Sequence, residues 1–156
     1  GVFSAEELDS YKRTIYFSLA EEIQLIPGVM EFLPLCRKKF QHMGLVTSAT
    51  LPDLNATDTR FHFRRWFDLV LLGEDTLNHK PHPEPYQKAL ASSGSDPRDT
   101  VVIEDSPNGV IAAKAAGCFV IGITTGFTAD ELQVAGADAV LGSFTEIAGY
   151  LRLSNQ

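Results

Sequence analysis

The chain has 156 residues, a length typical of one domain with a substantial core, and 44% of them are apolar. Its net charge of −7 argues against a nucleic-acid-binding surface and an anionic membrane face, although a few local donors can still bind an anionic substrate. No apolar run reaches the roughly 18 residues of a membrane span, no signal peptide is visible, and Cys36 and Cys118 are expected to be buried, reduced thiols of a cytoplasmic protein.

The first part of the chain predicts two helices. Ser4 and Glu7 have the spacing of a capping box. Apolar residues then recur at intervals of three and four, as in an amphipathic helix, at Leu8, Tyr11, Ile15, Leu19 and Ile23. Ile26-Pro27-Gly28 breaks this helix, and a second one follows with an apolar face made of Val29, Phe32, Leu33, Cys36 and Phe40.

From residue 43 onward, predicted strands and helices alternate. The strands are residues 43–47, 68–72, 100–103, 119–123 and 139–141. Helices are predicted over residues 52–63, 83–92 and 106–117, and capping boxes at Thr128 with Glu131 and at Ser143 with Glu146 begin two more. This alternation predicts an α/β fold, a Rossmann-like parallel sheet with helices on both faces.

Polar residues follow the predicted strands at their C-terminal ends, which meet at one edge of a parallel sheet. They are Ser48-Ala49-Thr50, the loop from Gly73 to Lys80, Glu104-Asp105 and Thr124-Thr125-Gly126. Taken alone, Ser48 would be interpreted as a helix cap, and Lys80 would be interpreted as a solvated surface side chain. Together, hydroxyls, one lysine and two acids are what a phosphoryl group coordinated to Mg²⁺ requires.

The Glu104-Asp105 pair has the most informative context. It ends a β-branched run, and Ser106 and Pro107 follow with the residue types of a helix cap and first helical position. An isolated Glu-Asp pair usually indicates an exposed acidic loop. A strand, two acids, a cap and a helix in succession instead favour a site for a hard cation.

Four segments resemble successive motifs of the haloacid dehalogenase superfamily, and most closely its β-phosphoglucomutase-like phosphatase branch. They are Gly44-Leu-Val-Thr-Ser-Ala-Thr50, Phe67-Asp-Leu-Val-Leu-Leu-Gly-Glu-Asp75, Lys80-Pro-His-Pro-Glu-Pro-Tyr86 and Val102-Ile-Glu-Asp-Ser-Pro-Asn-Gly109. The resemblance implies a haloacid dehalogenase-like α/β core over residues 27–156. Residues 1–26 resemble the last part of the helical cap that this branch inserts into its core.

The resemblance also implies roles for individual residues. Ser48 matches the hydroxyl that binds a phosphoryl oxygen, with Thr47 as the alternative if the register shifts by one. Lys80 matches the lysine that neutralises the phosphoryl group and the nucleophile. The remaining matches are the Ala49 N–H as a further phosphate donor, Glu104 and Asp105 as Mg²⁺ ligands, and Thr50 as a substrate contact. His79 and His82 flank the lysine and are interpreted as loop residues.

One motif of the superfamily is missing from this sequence. Its members begin with a strand ending in Asp-x-Asp, whose first aspartate forms the covalent aspartyl phosphate. No Asp-x-Asp pair occurs in the 156 residues. In the family that strand is central, between the strand of Ser48 and the strand of Glu104. We therefore expect a core without its first strand, resembling the C-terminal two-thirds of an enzyme, inactive alone and open to a strand from another chain.

The implied activity is that of a Mg²⁺-dependent phosphatase or phosphosugar mutase acting on a small phosphorylated metabolite. The alternative is a non-catalytic module that keeps the phosphate and metal pocket. A phospho-acceptor receiver domain is disfavoured because Lys80 precedes the acid pair, and no Gly-x-Gly-x-x-Gly supports a dinucleotide site. Phosphosugar, phosphoglycolate and nucleotide substrates all stay open, and haloacids fit least because the acids suggest a metal.

Overall fold

The computed structural model describes Ser4, Glu6, Glu7, Ser10 and residues 22–154. The predicted Ser4–Glu7 capping box is confirmed, because the Glu7 N–H donates to Ser4 Oγ at 3.1 Å and the Ser4 N–H to Glu7 Oε2 at 2.8 Å. The predicted helix that follows, with Leu8, Tyr11, Ile15 and Leu19, lies outside the described residues. The cap remnant over residues 1–26 therefore stays a prediction. In the described part, no helix has the length and apolar character to cross a membrane.

Helices and strands alternate along the described chain after residue 28. Their order is α1 Val29–Lys39, β1 Gly44–Val46, α2 Leu51–Phe61, β2 Leu69–Leu71, α3 Glu84–Ser93, β3 Val101–Glu104, α4 Pro107–Ala115, β4 Phe119–Ile123, α5 Ala129–Val134, β5 Ala139–Leu141 and α6 Phe144–Tyr150. Short 3₁₀ turns occupy Phe63–Trp66, Gly73–Asp75 and Pro97–Asp99. The predicted bounds of β4 and β5 are confirmed, and those of β1, β2 and β3 differ by one residue at each end.

The strands form two separate parallel sheets. β1 pairs with β2, and β4 lies between β3 and β5. The parallel α/β fold predicted from the sequence is therefore confirmed. Among the described residues no ladder of backbone hydrogen bonds joins the two sheets. β1, which precedes Ser48, and β3, which ends at Glu104, therefore belong to different sheets, and the missing first strand stays a prediction.

Helices cover both faces of the larger sheet, as the alternation of side chains along β4 requires. Ile121 and Ile123 pack with α1 and α6 in one apolar cluster, whereas Val120 packs with α3, α4 and α5 in the other. Full burial of such a side chain contributes about 1.5–3 kcal/mol. The two clusters also include residues next to or within β1, namely Met43 and Val46, so apolar packing connects the two sheets.

Serine and threonine side chains cap the first turns of α4, α5 and α6. Ser106 Oγ accepts from the Gly109 N–H at 3.2 Å and begins α4 as predicted. The box of Thr128 with Glu131 is complete. At α6, Ser143 caps the helix, but the Glu146 carboxylate accepts from the Gly142 N–H at 3.0 Å, so the reciprocal bond is displaced by one residue.

Asp138 ties three elements of the larger sheet together. Its carboxylate accepts from the Val120 N–H at 2.7 Å and from Lys114 Nζ at 2.9 Å, which connects the start of β5 to β4 and α4. Burial pushes the pKa of Asp138 upward, but the hydrogen bonds from Lys114 and Val120 and the charge of Lys114 together hold it below its ordinary value. The carboxylate is therefore stabilised in the folded state.

We expect Asp138→Asn to lower the free energy of unfolding by about 1–2 kcal/mol at neutral pH. A lowered folded-state pKa contributes stability above the unfolded pKa of about 4 and loses it as pH falls through the folded value. The difference between wild type and variant should therefore shrink on acidification in urea unfolding curves. Asp130→Asn, an exposed acid on α5, is the control. A difference that is constant down to pH 2 would contradict the assignment.

Candidate functional site

A cleft of about 300 Å³ lies at the C-terminal ends of the strands. It is lined by Ser48, Lys80, Ser106, Pro107, Asn108 and Phe127. These residues come from the segments that follow β1, β2, β3 and β4. Parallel strands bring their carboxyl ends to one edge, which explains how residues so distant in sequence meet.

Lys80 reaches the cleft from the loop after β2 and makes contacts with both sheets. Its ammonium donates to Glu104 Oε1 at the end of β3 and to the Val46 carbonyl oxygen at the end of β1, the latter at 3.2 Å. The side chains of Lys80 and Glu104 are only 13% and 6% exposed. A charge pair this sheltered from water is weakly screened, so separating the two groups would cost a large free energy.

The Glu104 carboxylate is held by donors on several sides. Besides Lys80, the Tyr86 hydroxyl donates to Oε1, and the Ser106 hydroxyl donates to Oε2 at 3.3 Å. Burial raises the pKa of Tyr86, and the charge of Glu104 raises it further, so the phenol stays a protonated donor. Gly109 packs directly on this carboxylate: a Cβ there would lie 2.0 Å from Glu104 Cδ.

The segment around Ser48 is fixed by its backbone. The Ala49 N–H donates to Thr47 Oγ1 at 3.1 Å, and the Gly73 N–H donates to the Ala49 carbonyl oxygen at 3.2 Å. Gly73 approaches so closely that a Cβ would lie 2.7 Å from the Ser48 carbonyl oxygen. Thr50 caps α2 in a capping box with Asp53. The exposed Ser48 hydroxyl makes no hydrogen bond within the described part of the chain, so it can bind a ligand.

The cleft is suited to an anion. It has one ammonium, from Lys80, and the hydroxyl of Ser48, unbonded among the described residues, whereas the Ser106 hydroxyl lines the cleft but donates its proton to Glu104. The first turn of α4 supplies Pro107 and Asn108 to the wall, which places the positive end of that helix dipole beside the cleft. Such donors bind phosphate or carboxylate oxygens through charge-assisted hydrogen bonds.

Comparison with known protein families identifies the family of this chain. The family model described as haloacid dehalogenase-like hydrolase matches residues 3–123, more than half of the chain. The chain belongs to the haloacid dehalogenase-like hydrolase family. The resemblance inferred from the four sequence motifs is thereby confirmed.

Relatives within this family are phosphatases and related proteins. Over 131 residues the chain is 37% identical to hexitol phosphatase B of Escherichia coli (strain K12), covering 83% of this chain and 59% of the relative. It is 32% identical over 140 residues to phosphoglycolate phosphatase of Salmonella paratyphi A, covering 88% and 56%. The chain thus spans less than two-thirds of the length of these curated relatives.

Solved structures share the same architecture. The structure of CbbY from Rhodobacter sphaeroides in complex with phosphate superimposes with a TM-score of 0.77 at 29% identity, over 94% of this chain and 67% of that one. CbbY has also been solved in complex with xylulose-1,5-bisphosphate, with a TM-score of 0.75. The five strands and their helices therefore have the arrangement of a haloacid dehalogenase-like core.

The predicted Mg²⁺ ligands do not by themselves make a metal site. Both oxygens of Glu104 are occupied by Lys80, Tyr86 and Ser106, and the side chain is buried. Asp105 is exposed and can offer one carboxylate. In the part of the chain that the structure describes, no group of three His, Cys, Asp or Glu side chains could hold a metal ion. The described residues therefore fit an anion better than an isolated hard cation.

The structure brings some of the predicted site residues together and gives others a different setting. Ser48 and Lys80 line one cleft, and Lys80 contacts Glu104. The N–H of Ala49 and the side chain of Thr50 are engaged in local hydrogen bonds. His79 and His82 are exposed loop residues, and His82 Nδ1 accepts from the Glu84 N–H at 3.1 Å.

Sequence reasoning missed several residues of the site. Asn108 and Phe127 line the cleft, and the Tyr86 hydroxyl donates to the Glu104 carboxylate that holds Lys80. Asn108 could have been found from its position in the first helical turn after the acid pair. Phe127 has no comparable signal, because a loop after a strand does not reveal which side chain turns toward the cleft.

Gly109→Ala tests the packing under the cleft. The added methyl group would collide with a carboxylate that Lys80 and Tyr86 hold in place. We expect the variant to lose at least about 2 kcal/mol of unfolding free energy, measured by urea denaturation. Gly149→Ala on α6 is the control, because nothing lies within 4 Å of its Cβ position. Equal stability of the two variants would show that the Glu104 region is loosely packed.

Proposed function

We propose that this protein is the phosphate-binding part of a phosphatase of the haloacid dehalogenase-like family that acts on a small phosphorylated metabolite. The observation that carries the proposal is the meeting of the Lys80 ammonium and the Ser48 hydroxyl in one cleft. The named phosphatases among its relatives support the substrate class.

In this proposal the phosphoryl group lies between Ser48, Lys80 and the start of α4. The Ser48 hydroxyl donates to one phosphoryl oxygen, and the Lys80 ammonium neutralises the negative charge. Because Glu104 and Val46 already accept from Lys80, the ammonium is fixed in position before the ligand arrives. A preorganised cation binds an anion at a lower entropic cost than a mobile one does.

The attacking carboxylate is proposed to come from outside these 156 residues. No Asp-x-Asp pair is present in the sequence, and β1 and β3, between which the family's first strand is expected, lie in different sheets. The same segment would have to complete a Mg²⁺ site, since Asp105 is exposed and offers a carboxylate, but no group of three His, Cys, Asp or Glu side chains among the described residues could hold the ion. The Mg²⁺ requirement, the substrate contact of Thr50 and the phosphate contact of the Ala49 N–H stay predictions.

Binding of inorganic phosphate tests the role of the cleft without requiring turnover. We expect Ser48→Ala to weaken phosphate binding by about five- to tenfold in calorimetry, the cost of about one charge-assisted hydrogen bond. Ser92→Ala, an exposed serine on α3, should leave the affinity unchanged. Equal affinities of wild type and Ser48→Ala would remove Ser48 from the site.

Lys80→Met should lower phosphate affinity further, because it removes the positive charge of the cleft. The matched control is Lys38→Met, at an exposed lysine of α1. Lys80→Met also leaves Glu104 buried without its cation, so circular dichroism must accompany the measurement. If Lys80→Met is unfolded, the comparison of Ser48→Ala with Ser92→Ala tests the cleft instead.

Hydrolysis of an aryl phosphate separates the enzyme from the non-catalytic alternative. We expect no turnover by this chain with Mg²⁺, and turnover once a family-type strand ending in Asp-x-Asp is fused to its N-terminus. Asp-to-Asn substitution of the first aspartate in the fused strand should abolish the activity, since a carboxamide cannot attack phosphorus. Phosphate binding without turnover in the fused protein would favour a non-catalytic phosphate-binding module, which the absence of Asp-x-Asp also suggests.

A further inference from the structure

Tyr86 lies beneath the cleft on α3, with 6% of its surface exposed. It is not among the residues that line the cleft. It packs in the apolar cluster with residues of α4, α5 and β4, where its ring would suffice as a core side chain. The ring alone, however, does not account for the buried hydroxyl, whose transfer from water is unfavourable unless it is hydrogen-bonded.

The Tyr86 side chain contacts both members of the buried ion pair. Its hydroxyl donates to Glu104 Oε1, the same oxygen that accepts from Lys80. Its ring faces the Lys80 ammonium, with Nζ 5.1 Å from the ring centroid, which is within the range of a cation–π interaction. One side chain therefore fixes the carboxylate and also shelters the ammonium.

We propose that Tyr86 is a positioning residue of the phosphate site, whose hydroxyl fixes the Glu104 carboxylate so that Glu104 holds the Lys80 ammonium at the wall of the cleft. This inference rests on the proposed function of the cleft. It assigns a role to a buried residue that lies six positions after the lysine in sequence and does not line the cleft.

The physical reason lies in how the donors share Glu104. With the phenol present, Oε1 accepts from Tyr86 and Lys80, and Oε2 accepts from Ser106. Without it, a buried carboxylate would depend more heavily on Lys80 for its hydrogen bonds. The ammonium would then be drawn toward Glu104 and become less available to phosphoryl oxygens.

Tyr86→Phe isolates the hydroxyl, because phenylalanine keeps the ring, its packing and its contact with Lys80. We expect inorganic phosphate to bind the variant about three- to tenfold more weakly than wild type in calorimetry. Tyr150→Phe, which removes an exposed hydroxyl on α6, should bind phosphate like wild type. A Tyr86→Phe protein that unfolds at lower urea concentration but binds phosphate with wild-type affinity would overturn the proposal, since the hydroxyl would then have a structural role alone.

A second readout keeps the test independent of phosphate binding. In ¹⁵N-lysine-labelled protein without phosphate, the Lys80 ammonium protons should exchange with water several-fold more slowly in Tyr86→Phe than in wild type, because the ammonium is then held more tightly by Glu104. Unchanged exchange would overturn the positioning role. If wild type binds no phosphate, the proposed function fails, whereas slower Lys80 exchange in the variant would still support the part of the inference that concerns Tyr86, Glu104 and Lys80.

Discussion

The contact between the Lys80 ammonium and the Glu104 carboxylate is the interaction on which the rest of the site depends. Glu104 ends β3 of the larger sheet, and Lys80 also donates to the Val46 carbonyl oxygen at the end of β1 in the smaller sheet. The described strands have no backbone ladder between those sheets. Lys80 therefore makes polar contacts with both sheets at the edge where the cleft lies, in addition to the apolar packing on either side.

Burial explains why the surrounding residues are small or hydrogen-bonding. A carboxylate with 6% exposure is stable only if its oxygens have donors, and Lys80, Tyr86 and Ser106 provide them. Gly109 leaves the space that the carboxylate fills. The same arrangement leaves the Ser48 hydroxyl and the first turn of α4 facing the cleft, so the features that stabilise the fold also prepare a site for an anion.

Much of the fold could be predicted from the sequence because the signals are local. β4 and β5 are short apolar runs between turn residues. Ser106 and Thr128 each accept a hydrogen bond from an N–H three residues later, so these helix starts depend only on neighbouring residues. The site was predicted less completely. The strand ends indicate that Ser48, Lys80 and Glu104 approach one another, but not which group Glu104 contacts. Two of its donors, Tyr86 and Lys80, lie 18 and 24 residues away in sequence, so the sequence pattern does not reveal that they meet at Glu104. The role of Glu104 as a Mg²⁺ ligand stays a prediction.

A double-mutant cycle on Lys80 and Glu104 tests this account most directly. Urea unfolding would be compared for wild type, Lys80→Met, Glu104→Gln and the double variant. We predict that each single substitution lowers the free energy of unfolding by about 3–5 kcal/mol, because the remaining member of the pair stays buried without its partner. The loss in the double variant should be smaller than the sum of the two single losses by about 2–3 kcal/mol. Costs that add to within about 0.5 kcal/mol would show that the two residues act independently and would contradict the account.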